Sequence, residues 1–280
     1  MQNYSVLMSV YYKENPIYLE AAIESIMNQT VKTDDFVLVC DGPLTTELDR
    51  VIDEYVHKYP VLFNIIRLEE NIGLAKALNA GIVKCKNELV ARMDSDDIAA
   101  GDRMEKQLKI FADKDVQIVS GTVTEFSGNQ TTLDAVFEDD ALGSERVLPE
   151  HEDDILSFAK KRSPFNHPAV MYKKSVVEGV GLYQDYRFFE DYSLWATMLN
   201  AGYKGYNIKD TLVYMRAGAS MYKRRGGISY IGCIYRFEKH LYDIGFISGV
   251  NFIKSVFIRT VVSIIPNGLR TTFYSKILRK

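Results

Sequence analysis

Cysteine is scarce in this sequence. Cys40, Cys85 and Cys233 are the only three; they have no metal-ligand spacing and do not pair off, which points to a reducing compartment. Excess charge of one sign is lacking too: a net charge of −3 gives no whole-chain reason to expect nucleic acid as a partner. No run reaches the roughly 18 apolar residues of a spanning helix. The N-terminus has no basic stretch followed by a long apolar run, so no secretory leader is visible and a cytoplasmic location is expected. No Pro/Ser-rich linker and no internal repeat divides the chain. What remains is an ordinary globular composition, 47% hydrophobic and 25% charged over 280 residues. That is enough for one large α/β domain, or one domain with an appendage.

The stretch around which the rest is organised is Val90-Ala91-Arg92-Met93-Asp94-Ser95-Asp96-Asp97. An apolar run, residues 89–93, reads as a buried strand that ends abruptly in three carboxylates. The strand repeat of two puts Asp94 and Asp96 on one side, with Asp97 turned differently as the chain leaves the sheet. Carboxylates so close repel one another unless something positive sits between them. A hard divalent cation with oxygen ligands, Mg²⁺ or Mn²⁺, is the simplest neutraliser. The alternative is an acidic turn that caps the next helix.

Upstream, apolar runs at 5–11, 36–40 and 63–68 read as buried strands. Helical stripes at 19–27, 44–56 and 74–82 separate them, and a further helix at 103–112 and strand at 117–123 follow. Strand and helix in strict alternation mean a mostly parallel sheet covered on both faces. Such sheets bind ligands beyond the carboxyl ends of their strands. Residues 9–14, Asp41-Gly42 and Asp94 to Asp97 all fall there. Residues 124–140 alternate like an antiparallel excursion, and 138–154 are acidic and solvent-facing. Asn166-His167-Pro168 precedes an apolar strand expected to run back towards the site. Asp191 opens an amphipathic helix with Leu194, Trp195, Met198 and Leu199 on its inner side, where an Asp also serves as a cap.

Five separated pieces stand in a fixed order: Ser5-Val-Leu-Met-Ser-Val-Tyr11, Val39-Cys-Asp41-Gly42, Asn71-Ile-Gly73 running to Asn79-Ala-Gly81, Asp94-Ser-Asp96-Asp97, and Glu190-Asp191-Tyr-Ser-Leu-Trp195. The set resembles the family 2 glycosyltransferases over roughly residues 4–225. That resemblance implies an α/β fold of the GT-A type, a Rossmann-like mostly parallel sheet with helices on both faces. It implies a catalytic domain at 1–225, with a nucleotide-binding part to about 123 and an acceptor part from 124, and a C-terminal helical extension at 226–280. It implies inverting transfer of a hexose from a nucleotide sugar, a UDP-hexose by inheritance, to a hydroxyl of a growing lipid-linked or protein-linked glycan.

By the same resemblance, Ser9, Tyr11, Glu14 and Asp41 bind the nucleotide, with Asp41 accepting a uracil N–H. Lys76 either approaches the phosphates or is a solvated helix lysine. Asp94 and Asp96 hold Mn²⁺ or Mg²⁺ as the D-x-D pair. Ser95 and Asp97 belong to the donor loop, where Asp97 supports the loop or touches the sugar. Asp191 takes the place of the catalytic base. Glu190 orients the acceptor or caps the helix. His167 lines the pocket or bonds a loop carbonyl. Trp195 stacks on an acceptor sugar or packs in the core. The Tyr-Arg-x-His segment of many relatives becomes Tyr214-Met-Arg216-Ala-Gly-Ala, without the histidine. Arg216, Lys223 and Arg224 are then the closing-loop candidates.

Residues 251–280 contain no acidic residue; Lys254, Arg259, Arg270, Lys276, Arg279 and Lys280 interrupt their apolar stripes. Such basic amphipathic pieces suit peripheral contact with an anionic membrane, here the inner face of the plasma membrane, or packing on the catalytic domain or on another subunit. Two rivals to a glycosyltransferase stand. A nucleotidyltransferase also places acidic metal ligands beyond a parallel sheet, but its glycine-rich basic loop has no counterpart in residues 11–16. A non-catalytic nucleotide-sugar or glycan-binding module of the same fold fits less well with an intact acidic cluster and Asp191.

Overall fold

The computed structural model describes residues 2–217 and 228–264. Lys223, Arg224 and the tail beyond Ile264 lie outside them. The strands are β1 (Tyr4–Val10), β2 (Asp35–Cys40), β3 (Phe63–Arg67), β4 (Leu89–Asp94), β5 (Ile98–Ala99), β6 (Ile118–Phe126), β7 (Leu142–Arg146), β8 (Met171–Lys173) and β9 (Gly205–Arg216). The helices are α1 (Pro16–Met27), α2 (Thr46–Lys58), α3 (Leu74–Ile82), α4 (Arg103–Asp113), α5 (Leu133–Glu138), α6 (Glu152–Ala159), α7 (Lys174–Gly179), α8 (Glu190–Asn200), α9 (Ile228–Asp243) and α10 (Gly249–Ile264).

One sheet orders the strands β3-β2-β1-β4-β8-β6-β9-β5, with β7 beside β6. Parallel pairing joins β3, β2, β1 and β4, as their unbroken apolar runs require. β8 then enters antiparallel between β4 and β6, and β9 returns parallel to β6. Six strands therefore share one direction while β5, β7 and β8 oppose it. β8 is only three residues long, and buried side chains finish its pairing. Arg103 donates to the carbonyls of Arg92 (2.7 Å) and Val170 (3.2 Å), and Gln107 donates to those of Val119 and Ala169, both at 2.9 Å. Burial lowers the Arg103 pKa to about 9, so it stays charged at neutral pH.

Two apolar layers enclose the sheet. Alternate β1 residues, Val6, Met8 and Val10, face α1 and α2. Leu7 points to the other side, against α3 and into the core that α8 and α9 share. Helix starts follow from local chemistry: Asn15 accepts from the Ile17 N–H ahead of Pro16, and Thr45 from the Leu48 N–H. Gly81 lets α3 lie against the sheet, since a β-carbon there would sit 2.3 Å from the Leu7 side chain.

Three readings are corrected. The antiparallel return after β6 comes at β7, beyond the expected 124–140. There the chain turns at Gly128 (φ +113°) and enters α5 under a Thr132 cap. The strand after His167 runs away from the site, because β8 opposes β4, and this leaves His167 beside the carboxyl end of β4. Finally, α9 is no appendage: Ile234, Phe237 and Leu241 are buried in the same core as α8, with Phe237 stacked on Phe189 at 4.5 Å.

Candidate active site

The carboxyl ends of β1, β2 and β4 meet along one edge, with Ser9 in register with Val39 and Asp94. The loop after β1 folds against the acidic turn: Ser95 Oγ donates to Glu14 Oε2 at 2.9 Å. Asp94, Asp96 and Asp97 each bring a carboxylate oxygen within 4.8 Å of the others. Burial, then the charges of Asp94 and Glu14, raise Asp96 to about pKa 7. Burial and Asp96 push Asp97 up as well. Asp97 Oδ1 accepts the Arg216 N–H at 2.9 Å, while Oδ2 is buried without a hydrogen bond among the described residues. A cluster of hard oxygens that repel one another, with one orphaned oxygen, suits a divalent cation.

Residue Arg92, 2% exposed within β4, grips both carboxylate oxygens of Asp94. The pair shares a strand face, two residues apart. It was missed in the sequence, although an arginine inside an otherwise apolar strand beside the acidic turn was the available signal. Tyr183 was missed too. Its hydroxyl meets His167 Nε2 at 2.9 Å, and its backbone is clamped by Asn79, which donates to the Tyr183 carbonyl (2.8 Å) and accepts its N–H (2.9 Å). Burial first, then the charges of Asp191 and Asp94, keep the Tyr183 hydroxyl protonated. Burial and the Arg92 charge keep His167 neutral, with its pKa well below the usual imidazole value.

Asp41 is buried, and its oxygens accept the N–H groups of Ile72 (2.8 Å) and Gly73 (3.1 Å). It shapes the loop entering α3. Tyr11 is exposed beside Tyr12, and Lys76 is an exposed helix residue 3.7 Å from Asp185. Glu190 and Asp191 form the first turn of α8, presented by Phe188 in the left-handed region (φ +74°). Burial, reinforced by Asp191, raises the Glu190 pKa.

Two candidates leave the site. Trp195 is 0% exposed, edge-on to Phe165 and Tyr183, so it packs in the core and cannot stack on a sugar. Arg216 is no free arm. Its guanidinium donates to the carbonyls of Asp96, Gly128 and Gln130 at 2.8–3.0 Å and lies between the rings of Tyr18 and Phe126. It pins the loop rather than closing over it.

Residues 5–180 match the model of Glycosyl transferase family 2. Over 98% of both chains, the sequence is 37% identical to the amylovoran biosynthesis glycosyltransferase AmsE of Erwinia amylovora. It is 38% identical to the UDP-Gal:alpha-D-GlcNAc-diphosphoundecaprenol beta-1,3-galactosyltransferase of Escherichia coli, over 99% of this chain and 97% of that one. Among solved structures, S. aureus TarS 1–349 in complex with UDP-GlcNAc superposes with a TM-score of 0.69, at 14% identity, over 98% of this chain and 76% of that one. The mannosyltransferase PcManGT of Pyrobaculum calidifontis, in complex with GDP-Man and Mn²⁺, gives 0.64 at 16%, over 98% and 73%. At such identities the structural likeness establishes the fold, and the sequence relatives establish the activity class. The chain belongs to the family 2 glycosyltransferases and has the GT-A fold.

Proposed function

We propose that this glycosyltransferase is inverting and metal-dependent, and moves a hexose from a UDP-sugar to a hydroxyl of a lipid-linked glycan during assembly of a bacterial surface polysaccharide. The observation that carries this reading is the compact cluster of three carboxylates at the strand ends, tied through Ser95 to Glu14 of the loop after β1, with Asp191 as a separate carboxylate in the first turn of α8. The two carboxylate sites do different work. Relatives support the biological setting: one is named for amylovoran biosynthesis and another for transfer to a diphosphoundecaprenol-linked sugar.

On the donor side, Asp94 and Asp96, joined by the spare oxygen of Asp97, would hold the cation, with Arg92 steadying Asp94. When bound, Mn²⁺ or Mg²⁺ neutralises the charge that develops on the leaving diphosphate. Ser9, Tyr11, Glu14 and Ser95 border the nucleotide, and Asp41 fixes the loop beside it. Lys76 stands at the first turn of α3. On the acceptor side, Asp191 accepts the proton of the attacking hydroxyl as its oxygen bonds to the anomeric carbon and the bond to the diphosphate breaks. Attack opposite the leaving group inverts the anomeric centre. His167, neutral and bonded to Tyr183, and Glu190, half-buried, border the acceptor.

Thermal stability with UDP, GDP, CDP and ADP, with and without Mn²⁺, tests the assignment, because a ligand of the folded state raises the melting temperature. UDP stabilisation that needs Mn²⁺, is lost in Asp96→Asn and survives in Asp191→Asn is expected. Turnover of a UDP-sugar by the wild type, and none by Asp191→Asn, completes it. Nucleotide binding without turnover by the wild type would instead make the chain a binding module.

A further inference from the structure

The last described helix, α10, carries apolar residues on the side turned to water. Val250, Ile253, Phe257, Val261 and Ile264 recur at three- and four-residue spacing, and Phe257 and Ile253 are 68% and 69% exposed. Ile258 widens the stripe. Val262 and Ser263 on the other side are buried. A continuous apolar stripe facing solvent marks an interaction surface. We propose that this face of α10 docks the enzyme on an anionic lipid bilayer.

The charge pattern selects the occupant. Lys254, exposed, lies within the stripe, and residues 250–280 contain no acidic side chain. A second copy meeting this face about a two-fold axis would bring Lys254 towards its own equivalent with no acid in the segment to answer it. Lipid phosphates answer it directly, and the lysine stem runs along the apolar surface while the ammonium reaches the headgroups. No described helix is long and apolar enough to cross a membrane. α10, with 16 residues, lies on the surface, its apolar side in the interface.

The helix is also fixed to the catalytic body. Arg259, on the inner side, meets buried Glu238 at 2.7 Å, donates to the Lys161 carbonyl at 3.0 Å and lies near the rings of Phe189 and Tyr192, at 5.6 and 5.8 Å. Those rings flank Asp191 in sequence. Docking α10 would therefore set the orientation of the acceptor side towards the bilayer. For this inner side of α10, packing on the catalytic domain is the reading that holds.

The test uses the full chain and no substrate, so it stands apart from the donor assignment. The protein is sedimented with vesicles of phosphatidylglycerol and phosphatidylethanolamine in roughly a 1:2 ratio, and with phosphatidylcholine alone. Binding only to the anionic vesicles is expected. The double variant Ile253→Ser/Phe257→Ser should lower it about tenfold or more, and Lys254→Glu should weaken it in a salt-dependent way. All three positions are exposed, so the melting temperature should not move. Absence of binding to anionic vesicles, or equal binding by the double variant, would overturn the proposal. So would a concentration-dependent dimer that the double variant abolishes, since the face then belongs to a second copy.

Discussion

Replacing Asp96 by Asn should make the unliganded protein more stable while it destroys the donor site. Asp96 titrates near pH 7 rather than 3.8, chiefly because it is buried and then because Asp94 and Glu14 face it. An acid whose folded pKa lies above its unfolded one binds its proton more tightly in the folded state. Folding stability therefore falls as pH rises from about 4 to 7, and the whole penalty is present above that range. At about 1.4 kcal/mol per pH unit the ceiling is about 4 kcal/mol. Solvent screening of a partly exposed group brings the expected gain from Asn to about 1–2 kcal/mol, or roughly 3–5 °C in melting temperature near pH 8. The assay is thermal melting in EDTA from about pH 4.5 to 8, repeated with Mn²⁺ and UDP. In EDTA the variant should melt higher near pH 8 and converge with the wild type as the pH approaches 4.5. At about one hundred times the dissociation constant, UDP and Mn²⁺ should stabilise the wild type by about 2.7 kcal/mol and leave the variant unmoved, so the ranking reverses. A variant no more stable than the wild type near pH 8 in EDTA, or an advantage that does not shrink on acidification, would refute the electrostatic account.

Gly42→Ala should lower stability by about 1–3 kcal/mol and weaken nucleotide binding, because Gly42 sits at φ +87° and an added β-carbon would meet the Asn71 backbone nitrogen at 2.7 Å; urea unfolding and a UDP titration measure both. Asn79→Ala removes both bonds that clamp the Tyr183 backbone and should lose about 1–3 kcal/mol. Asn79→Asp keeps the acceptor and should recover part of that loss, read from the same unfolding curves. Arg259→Ala strands Glu238, 1% exposed, without its cation and should lose about 3 kcal/mol near pH 8. Burial already raises the Glu238 pKa, so the carboxyl protonates on acidification and the loss should be smaller near pH 5, as chemical denaturation at the two pH values will show.

Alternation of apolar runs was enough to read β1 to β4, the helices between them and the crowding of Asp41 and Asp94 to Asp97 at one edge. β8 was legible as apolar, but not its direction. Three residues carry little pattern, and their place between β4 and β6 depends on Arg103 and Gln107, whose inward orientation nothing local announces. Trp195 reads as lying on the inner side of α8, and its burial decides between its two readings in favour of the core. α8 looks amphipathic when read alone, yet α9 closes its second side, and α9 lay in what reads as an extension. Tyr183 enters the site through an asparagine 104 residues earlier, a contact that no local period reports. Arg92 is different: its charge inside an apolar strand, two residues before Asp94, was visible and means a buried partner.

The two sides of the site rest on different supports. The proposed donor side stands on the ends of β1, β2 and β4, where β1 and β2 are paired on both flanks and the end of β4 is paired with β1. The proposed acceptor side stands on one helix start, presented by a left-handed Phe188 and braced from behind by α9 and by Arg259 of α10. Strained backbone of this kind persists only where its surroundings over-determine it. Here part of the brace comes from α10, the helix that carries the proposed bilayer face. Tyr183 ties the two sides together: Asn79 of α3 holds its backbone, while its hydroxyl meets His167. Packing in the core fixes that ring more firmly than a surface loop could.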